Sequence, residues 1–163
     1  MGLGVGKENR LNVADQVIST VDWSTYWLAD GAAVGFGRRL MDFLTDSPSG
    51  DRRGLWETME NHVFSQDDIF SAAEPSISVL LASLIDQHSL ATRIAVLDLL
   101  FHIVQAASYR NDDLGSRCMR SAATGAWLLV AQAIAGPRAV TEACIEILEI
   151  AAPQYAEFVQ QTS

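Results

Sequence analysis

Positive charge is scarce in this sequence, and the shortage excludes several classes of partner. The chain has 11 Lys and Arg residues against 20 Asp and Glu, which gives a formal net charge of −9. Nonspecific affinity for nucleic acid comes mostly from cationic side chains that neutralise phosphates, and anionic lipid attracts the same side chains. We therefore expect neither nucleic acid nor a membrane as a partner. Only Lys7 among the basic residues is a lysine, a bias typical of GC-rich bacterial genomes.

Cysteines and long apolar runs are scarce as well. Cys118 and Cys144 lack the spacing of a CxxC or Cys/His metal site, so we interpret both as buried free thiols and predict neither a metal nor a cofactor. The N-terminal segment MGLGVGKENR contains no apolar run of signal-peptide length. No segment is predicted to be a membrane span of roughly 18 to 20 apolar residues. The sequence therefore predicts a cytoplasmic protein.

Apolar residues at helical spacing are what the sequence has in plenty. They make up 49% of the chain, and their period from residue 29 onward predicts an all-α fold. Gly, Pro and capping residues mark where each helix ends. The predicted helices span residues 29–45, 51–64, 68–86, 89–107, 114–135 and 137–151, with a short helix after Pro153 and another within 12–27.

The four tryptophans fall into two groups. Trp23 and Trp27 lie near the N-terminus with Tyr26, where we expect them to cap the open end of the core. Trp56 and Trp127 lie in the apolar rows of predicted helices and are therefore predicted to be core residues.

Part of the chain matches itself when it is shifted by 40 residues. The matches include Leu40 with Leu80, Leu44 with Leu84, Asp46 with Asp86, Arg53 with Arg93 and His62 with His102. A weaker third copy ends in ACIEILEIA. Each copy is a predicted helix pair, and such units must stack because one pair alone cannot bury its apolar faces.

This repeat resembles a known family. The period near 40, the two helices per unit, the Asp in the turn (LTD, LID) and the Arg seven residues later resemble HEAT or armadillo-type repeats. The segment HVFSQDDIFSAAEPSISVLLASLID resembles small bacterial HEAT-like proteins, in which an AVPFLIELL-type run opens a repeat helix. The resemblance implies a short right-handed α-solenoid (α-α superhelix) of about three helix pairs over residues 29–163, behind an N-terminal tail and capping segment at 1–28. It also implies that Asp46 with Arg53, and Asp86 with Arg93, tie turns to helices.

Polar residues recur on the second helix of each predicted pair. They are Thr58 and His62 in the first unit, Asp98 and His102 in the second, and Glu142, Glu146 and Glu149 in the third. Their spacing of three or four places each set on one side of its helix. In HEAT-like proteins the second helices line the concave face, so the resemblance makes these residues a candidate binding surface. A merely solvated helix face stays open as an alternative.

An acidic surface flanked by histidines fits a cationic partner, because complementary charge orients and speeds association. We therefore hypothesise a non-enzymatic protein-binding module, and specifically an inhibitor or immunity protein for a basic toxin or enzyme. Three short repeats also leave apolar edges compatible with a homodimer.

The alternative is a small-molecule-binding protein or an enzyme of a bacterial biosynthetic pathway, with a pocket near Trp23, Trp27, His62 and His102. Asp98 could orient the imidazole of His102, as around metal ligands and general bases. However, no HExxH motif or third ligand accompanies the two histidines. We therefore assign no catalytic residue.

Overall fold

The structure is a computed structural model that describes residues 12–45, 52–66 and 68–162. These residues are mostly α-helical, which confirms the all-α class. The helices are α1 (Val13–Thr20), α2 (Phe36–Leu44), α3 (Arg52–Glu60), α4 (Ala73–Ser83), α5 (Leu90–Ser108), α6 (Asp113–Thr124), α7 (Ala126–Ala135), α8 (Arg138–Ala151) and α9 (Pro153–Thr162), with a 3₁₀ turn at Trp23–Thr25.

Two small antiparallel hairpins interrupt the helices. Their strands are β1 (Trp27–Leu28) paired with β2 (Gly31–Ala32), and β3 (Phe64–Ser65) paired with β4 (Asp68–Ile69). The helices predicted to begin at residues 29 and 68 therefore begin later, at Phe36 and Ala73. The prediction was wrong there because a two-residue strand is too short to show the alternation that identifies strands. The domain boundary predicted after residue 28 falls in the turn of the first hairpin.

The two hairpin–helix segments are built alike. In the first, Ala33 N–H donates to the Tyr26 carbonyl and Phe36 N–H to the Ala33 carbonyl; in the second, Phe70 N–H donates to the Val63 carbonyl and Ala73 N–H to the Phe70 carbonyl. Every corresponding atom lies 37 residues further along the chain. The hairpins thus repeat every 37 residues, whereas the helix sequences match best at 40.

The first hairpin is bonded directly to the second hairpin segment. The Ala29 N–H donates to the His62 carbonyl at 3.0 Å, and the Ala72 N–H donates to the Trp27 carbonyl at 3.1 Å. The Trp27 N–H also donates to the Ser71 hydroxyl at 2.8 Å. These bonds pair polar backbone groups that a short isolated hairpin would leave to water.

The helix predicted over 114–135 is divided at Gly125 into α6 and α7. A Cβ atom at Gly125 would lie 2.4 Å from Cδ1 of Leu81 on α4. A side chain at position 125 would therefore force the Leu81 side chain to move, and glycine avoids this clash.

Asp86 holds the N-terminal helix in place. Its carboxylate accepts hydrogen bonds from the backbone N–H groups of Val13 at 2.7 Å and Ala14 at 3.0 Å, so it caps α1. The resemblance implied that Asp86 would bond to Arg93 on the next helix. In the structure Asp86 instead connects the α4–α5 turn to α1. Asp46, the corresponding residue of the first unit, lies outside the described residues.

The described helices pack around a shared core. Helix α4 packs against α1 and α6, and α8 packs against α5, α7 and α9. The interior positions of α5 are fully buried, among them Val96, Leu97, Leu100 and Ile103. Helix α5 contacts α4, α6 and α8 and is therefore covered on more than one side.

By length and composition α5 could cross a bilayer, contrary to the expectation that no segment would. It has 19 residues with a mean hydropathy of 1.5, and half of that span is buried inside the protein. The core helix of a globular protein has the same properties, so the cytoplasmic location stays a prediction.

The tryptophans divide differently from the prediction. Trp23 is 9% exposed and packs edge-on against Phe36, whereas Trp27 is 61% exposed. Trp127 is 58% exposed, so its predicted place in the core was wrong. Its ring instead lies 4.6 Å from that of Tyr155 on α9. Helical periodicity identifies an apolar side but does not show whether another element covers it.

Candidate functional site

Three of the residues predicted for the binding surface line one groove between α5 and α8. Asp98 lies on α5, and Glu142 and Glu146 lie on α8. The groove has a volume of about 270 Å³ and is open to solvent. Its remaining lining residues are apolar: Ile94, Leu97, Phe101, Ala139 and Ala143. The groove thus combines an apolar floor with three carboxylates.

Helical spacing explains how the sequence builds this groove. On α8, Ala139 and Ala143 lie one turn apart, next to Glu142 and Glu146 at the same interval. The short alanine side chains leave room over the floor, while the longer glutamates extend beyond them. Asp98 supplies the carboxylate on the opposite side, from α5.

The carboxylates of the groove are largely exposed to solvent. Glu142 accepts a hydrogen bond from Nε of Arg138 at 2.7 Å, and the side chains of this pair are 58% and 91% exposed. The bond raises the pKa of Arg138 above its usual value. An ion pair this exposed contributes little to stability. A cation from a partner could therefore replace Arg138 beside Glu142. Glu146, also exposed, makes no ion pair with any residue that the structure describes.

His102 lies beside the groove in an aromatic slot. Its ring stacks on Phe64 with centroids 5.6 Å apart and meets Trp56 edge-on at 5.4 Å. Its Nδ1 lies 2.8 Å from the carbonyl oxygen of Asp98. Because a carbonyl only accepts, Nδ1 must carry the proton in this contact. The imidazole therefore packs α5 against the second hairpin, and Nε2 is the nitrogen left to act as an acceptor.

His62 lies in a different setting, although the 40-residue shift matches it with His102. It follows the end of α3, and its Nε2 is 3.4 Å from Oδ2 of Asp30 in the turn of the first hairpin. Its Nδ1 is buried and has no hydrogen-bond partner among the described residues. His62 thus joins the two hairpins through its side chain and its carbonyl.

The other two predicted residues lie outside the groove lining. Thr58 is a half-buried residue of α3. The Glu149 carboxylate accepts a hydrogen bond from Nε2 of Gln160 on α9 at 3.2 Å, so it is turned toward the C-terminal helix. Of the seven predicted residues, the structure brings Asp98, Glu142 and Glu146 together.

The groove floor contains residues that the sequence reasoning missed. Phe101, Ala139 and Ala143 were not among the predicted site residues, because the prediction considered only polar residues at helical spacing. The signal was present, since a pair of alanines one turn apart beside two glutamates indicates a shallow, acid-edged groove.

Within residues 12–45, 52–66 and 68–162, no group of three or more His, Cys, Asp or Glu side chains is arranged to hold a metal ion. Cys118 and Cys144 are buried and unbonded to each other, and burial raises the pKa of each thiol to about 12. Thiols in that state are poor nucleophiles at neutral pH.

Comparisons with known proteins gave no match. No protein-family model, no curated protein and no solved structure matches the chain.

Proposed function

We propose that this chain is a short right-handed α-solenoid of HEAT-like helix pairs, a non-enzymatic module that binds another protein through the groove between α5 and α8. The pairs would be α2 with α3, α4 with α5, and α6–α7 with α8. Contacts of α4 with α6 and of α5 with α8 are those expected between neighbouring units of such a stack.

The observation that carries this proposal is the chemistry of the groove. An arginine or lysine side chain has an apolar stem and a cationic head. The stem would lie on Ile94 and Phe101, and the head would reach the carboxylates of Asp98, Glu142 or Glu146. A basic protein surface presents several such side chains. The net charge of −9 would draw it in, since complementary charge raises association rates.

The specific version of the proposal is an inhibitor or immunity protein that masks a basic toxin or enzyme. The small-molecule alternative needs Trp23 to line a pocket, whereas its indole packs in the core and donates to the Ile18 carbonyl at 3.2 Å.

A pull-down from the source lysate tests the proposal. The baits are the wild type, the groove variant Glu142→Lys/Glu146→Lys and the control variant Asp42→Lys/Glu157→Lys. The control makes the same change of charge at two exposed residues of α2 and α9. We expect a basic protein to be retained by the wild type and the control and lost from the groove variant. Equal retention by both variants, or no retained basic protein, would contradict the proposal.

A further inference from the structure

A second cavity lies near the N-terminal end of α5 and has a volume of about 540 Å³. Three segments meet around it: the α4–α5 turn at residues 84–88, Arg93 on α5, and the end of α7 with Gly136. Its polar side chains include Arg93, His88 and Gln132. We call this cavity the end pocket.

Arg93 is the half-buried cation of the end pocket. Among the residues that the structure describes it forms no ion pair, although the chain carries 20 acidic residues. The carboxylate of Asp86 also lines the pocket, but its recorded hydrogen bonds come from the N–H groups of Val13 and Ala14 and not from Arg93. A guanidinium is always charged and carries five N–H donors that suit a two-oxygen acceptor.

His88 supplies a second unsatisfied group. Its side chain lines the end pocket, and its Nε2 is buried with no hydrogen-bond partner among the described residues. Buried polar atoms nearly always have partners in native proteins, so an orphaned nitrogen calls for water, an ion or a ligand. Gln132 closes the wall, since its Nε2 donates to the Leu84 carbonyl at 2.9 Å.

The position of the pocket adds a favourable field for an anion. Arg93 lies in the first turns of α5, a helix of 19 residues that begins after Ser89. The aligned peptide dipoles of a helix place partial positive charge at this end.

We propose that the end pocket binds an oxyanion group, a carboxylate or a phosphate of a small ligand, with Arg93 as its two-pronged donor and His88 Nε2 as a further partner. Asp86 at the edge of the pocket limits the charge that it accepts and favours a single anionic group. The proposal is independent of the partner assigned to the α5–α8 groove, because none of the groove's lining residues lines the end pocket.

Nuclear magnetic resonance titration tests this assignment. Wild-type protein is titrated with inorganic phosphate and, separately, with acetate into the millimolar range, against sodium chloride at the same ionic strength. We expect saturable shifts at the backbone amides of residues 88–93 and at the Gln132 side-chain amide. A response to phosphate alone assigns a phosphate ligand, and a response to acetate assigns a carboxylate.

Four variants locate the binding. Arg93→Gln and His88→Phe should each raise the apparent Kd by about tenfold or more, because each removes a partner of the charged group. Arg93→Lys should weaken binding less, since it keeps the charge and loses the fork. Arg120→Gln removes an exposed cation of α6 and should leave the titration unchanged. Circular dichroism checks that each variant is folded.

Two results would overturn the proposal. One is a wild type without saturable shifts for either anion. The other is a folded Arg93→Gln or His88→Phe variant that responds as strongly as Arg120→Gln, because binding would then lie elsewhere on the surface.

Discussion

The α5–α8 groove and the end pocket share helix α5 but present opposite chemistry. Arg93 of the pocket and Ile94 of the groove are adjacent in sequence. The groove runs along the sides of two helices and offers carboxylates over an apolar floor. The end pocket collects a cation, an imidazole and an amide from three segments that meet where helices begin and end. Helix sides repeat the same chemistry every turn, whereas helix ends combine residues that no spacing relates.

Truncating a residue of the groove floor should cost the protein more stability than truncating an exposed apolar residue. Leu97 lines the floor and is fully buried, so Leu97→Ala should lower the free energy of unfolding by about 2–5 kcal/mol. Ile134 on α7 is 55% exposed, and Ile134→Ala should change it by no more than about 0.5 kcal/mol. Urea unfolding of both variants measures the difference. Equal losses would mean that the floor is not part of the core.

Affinity for the basic partner should depend on the groove and not on the end pocket. Once a basic partner is in hand, Glu142→Lys/Glu146→Lys should raise its Kd by about ten- to a hundredfold, with most of the change at low salt. Arg93→Gln should leave that Kd unchanged, since the end pocket takes no part in docking. Calorimetry at two salt concentrations measures both. If Arg93→Gln weakened partner binding more than Glu142→Lys/Glu146→Lys, the docking site would be the end pocket and not the groove.

Replacing one aspartate from each region should have a smaller effect on the free energy of unfolding. Asp86 caps α1 from the edge of the end pocket, so Asp86→Ala should lower the free energy of unfolding by about 0.5–2 kcal/mol. Asp98 is an exposed groove residue, and Asp98→Ala should stay within about 0.5 kcal/mol of the wild type. Faster hydrogen exchange in residues 13–20 should accompany the first change only. Equal stability of the two variants would contradict the capping role.

The smallest effect at neutral pH concerns the two buried thiols, Cys118 on α6 and Cys144 on α8. Burial raises the pKa of Cys118 and Cys144 from 9.0 to about 12. Because the folded protein holds these protons more tightly than the unfolded chain, this stabilisation is complete below pH 9 and is lost as pH rises toward 12.

Replacing both cysteines by alanine should therefore flatten the alkaline decline of stability. Unfolding free energies from pH 8 to 11 check this expectation. An unchanged decline would mean that other groups cause it.

The sequence predicted much of the helical part of the molecule. The helix expected at 89–107 is α5 and the one expected at 137–151 is α8, each within one residue of its observed bounds. Their punctuation is strong, with a Ser89 cap before α5 and Pro137 before α8. Because both helices lie close to their predicted bounds, helical spacing could place residues 98, 142 and 146 on particular sides of α5 and α8, and in the structure these three line one groove.

The hairpins and the end pocket could not be predicted in the same way. In the first hairpin β2 begins at Gly31 with φ of 137°, and the second hairpin turns through Gln66 with φ of 55°. Each strand has only two residues. The end pocket depends on His88, Arg93 and Gln132, which become neighbours only after three segments pack. A periodic sequence pattern does not show which residues of different segments come into contact.

Hydrogen exchange with and without the basic partner locates the docking surface on the protein. If the α5–α8 groove is the docking site, partner binding should slow exchange in residues 94–101 and 139–146 and leave α7 and α9 outside the footprint. Protection confined to the exposed Trp127 and Tyr155 face, or to the first hairpin, would contradict the account.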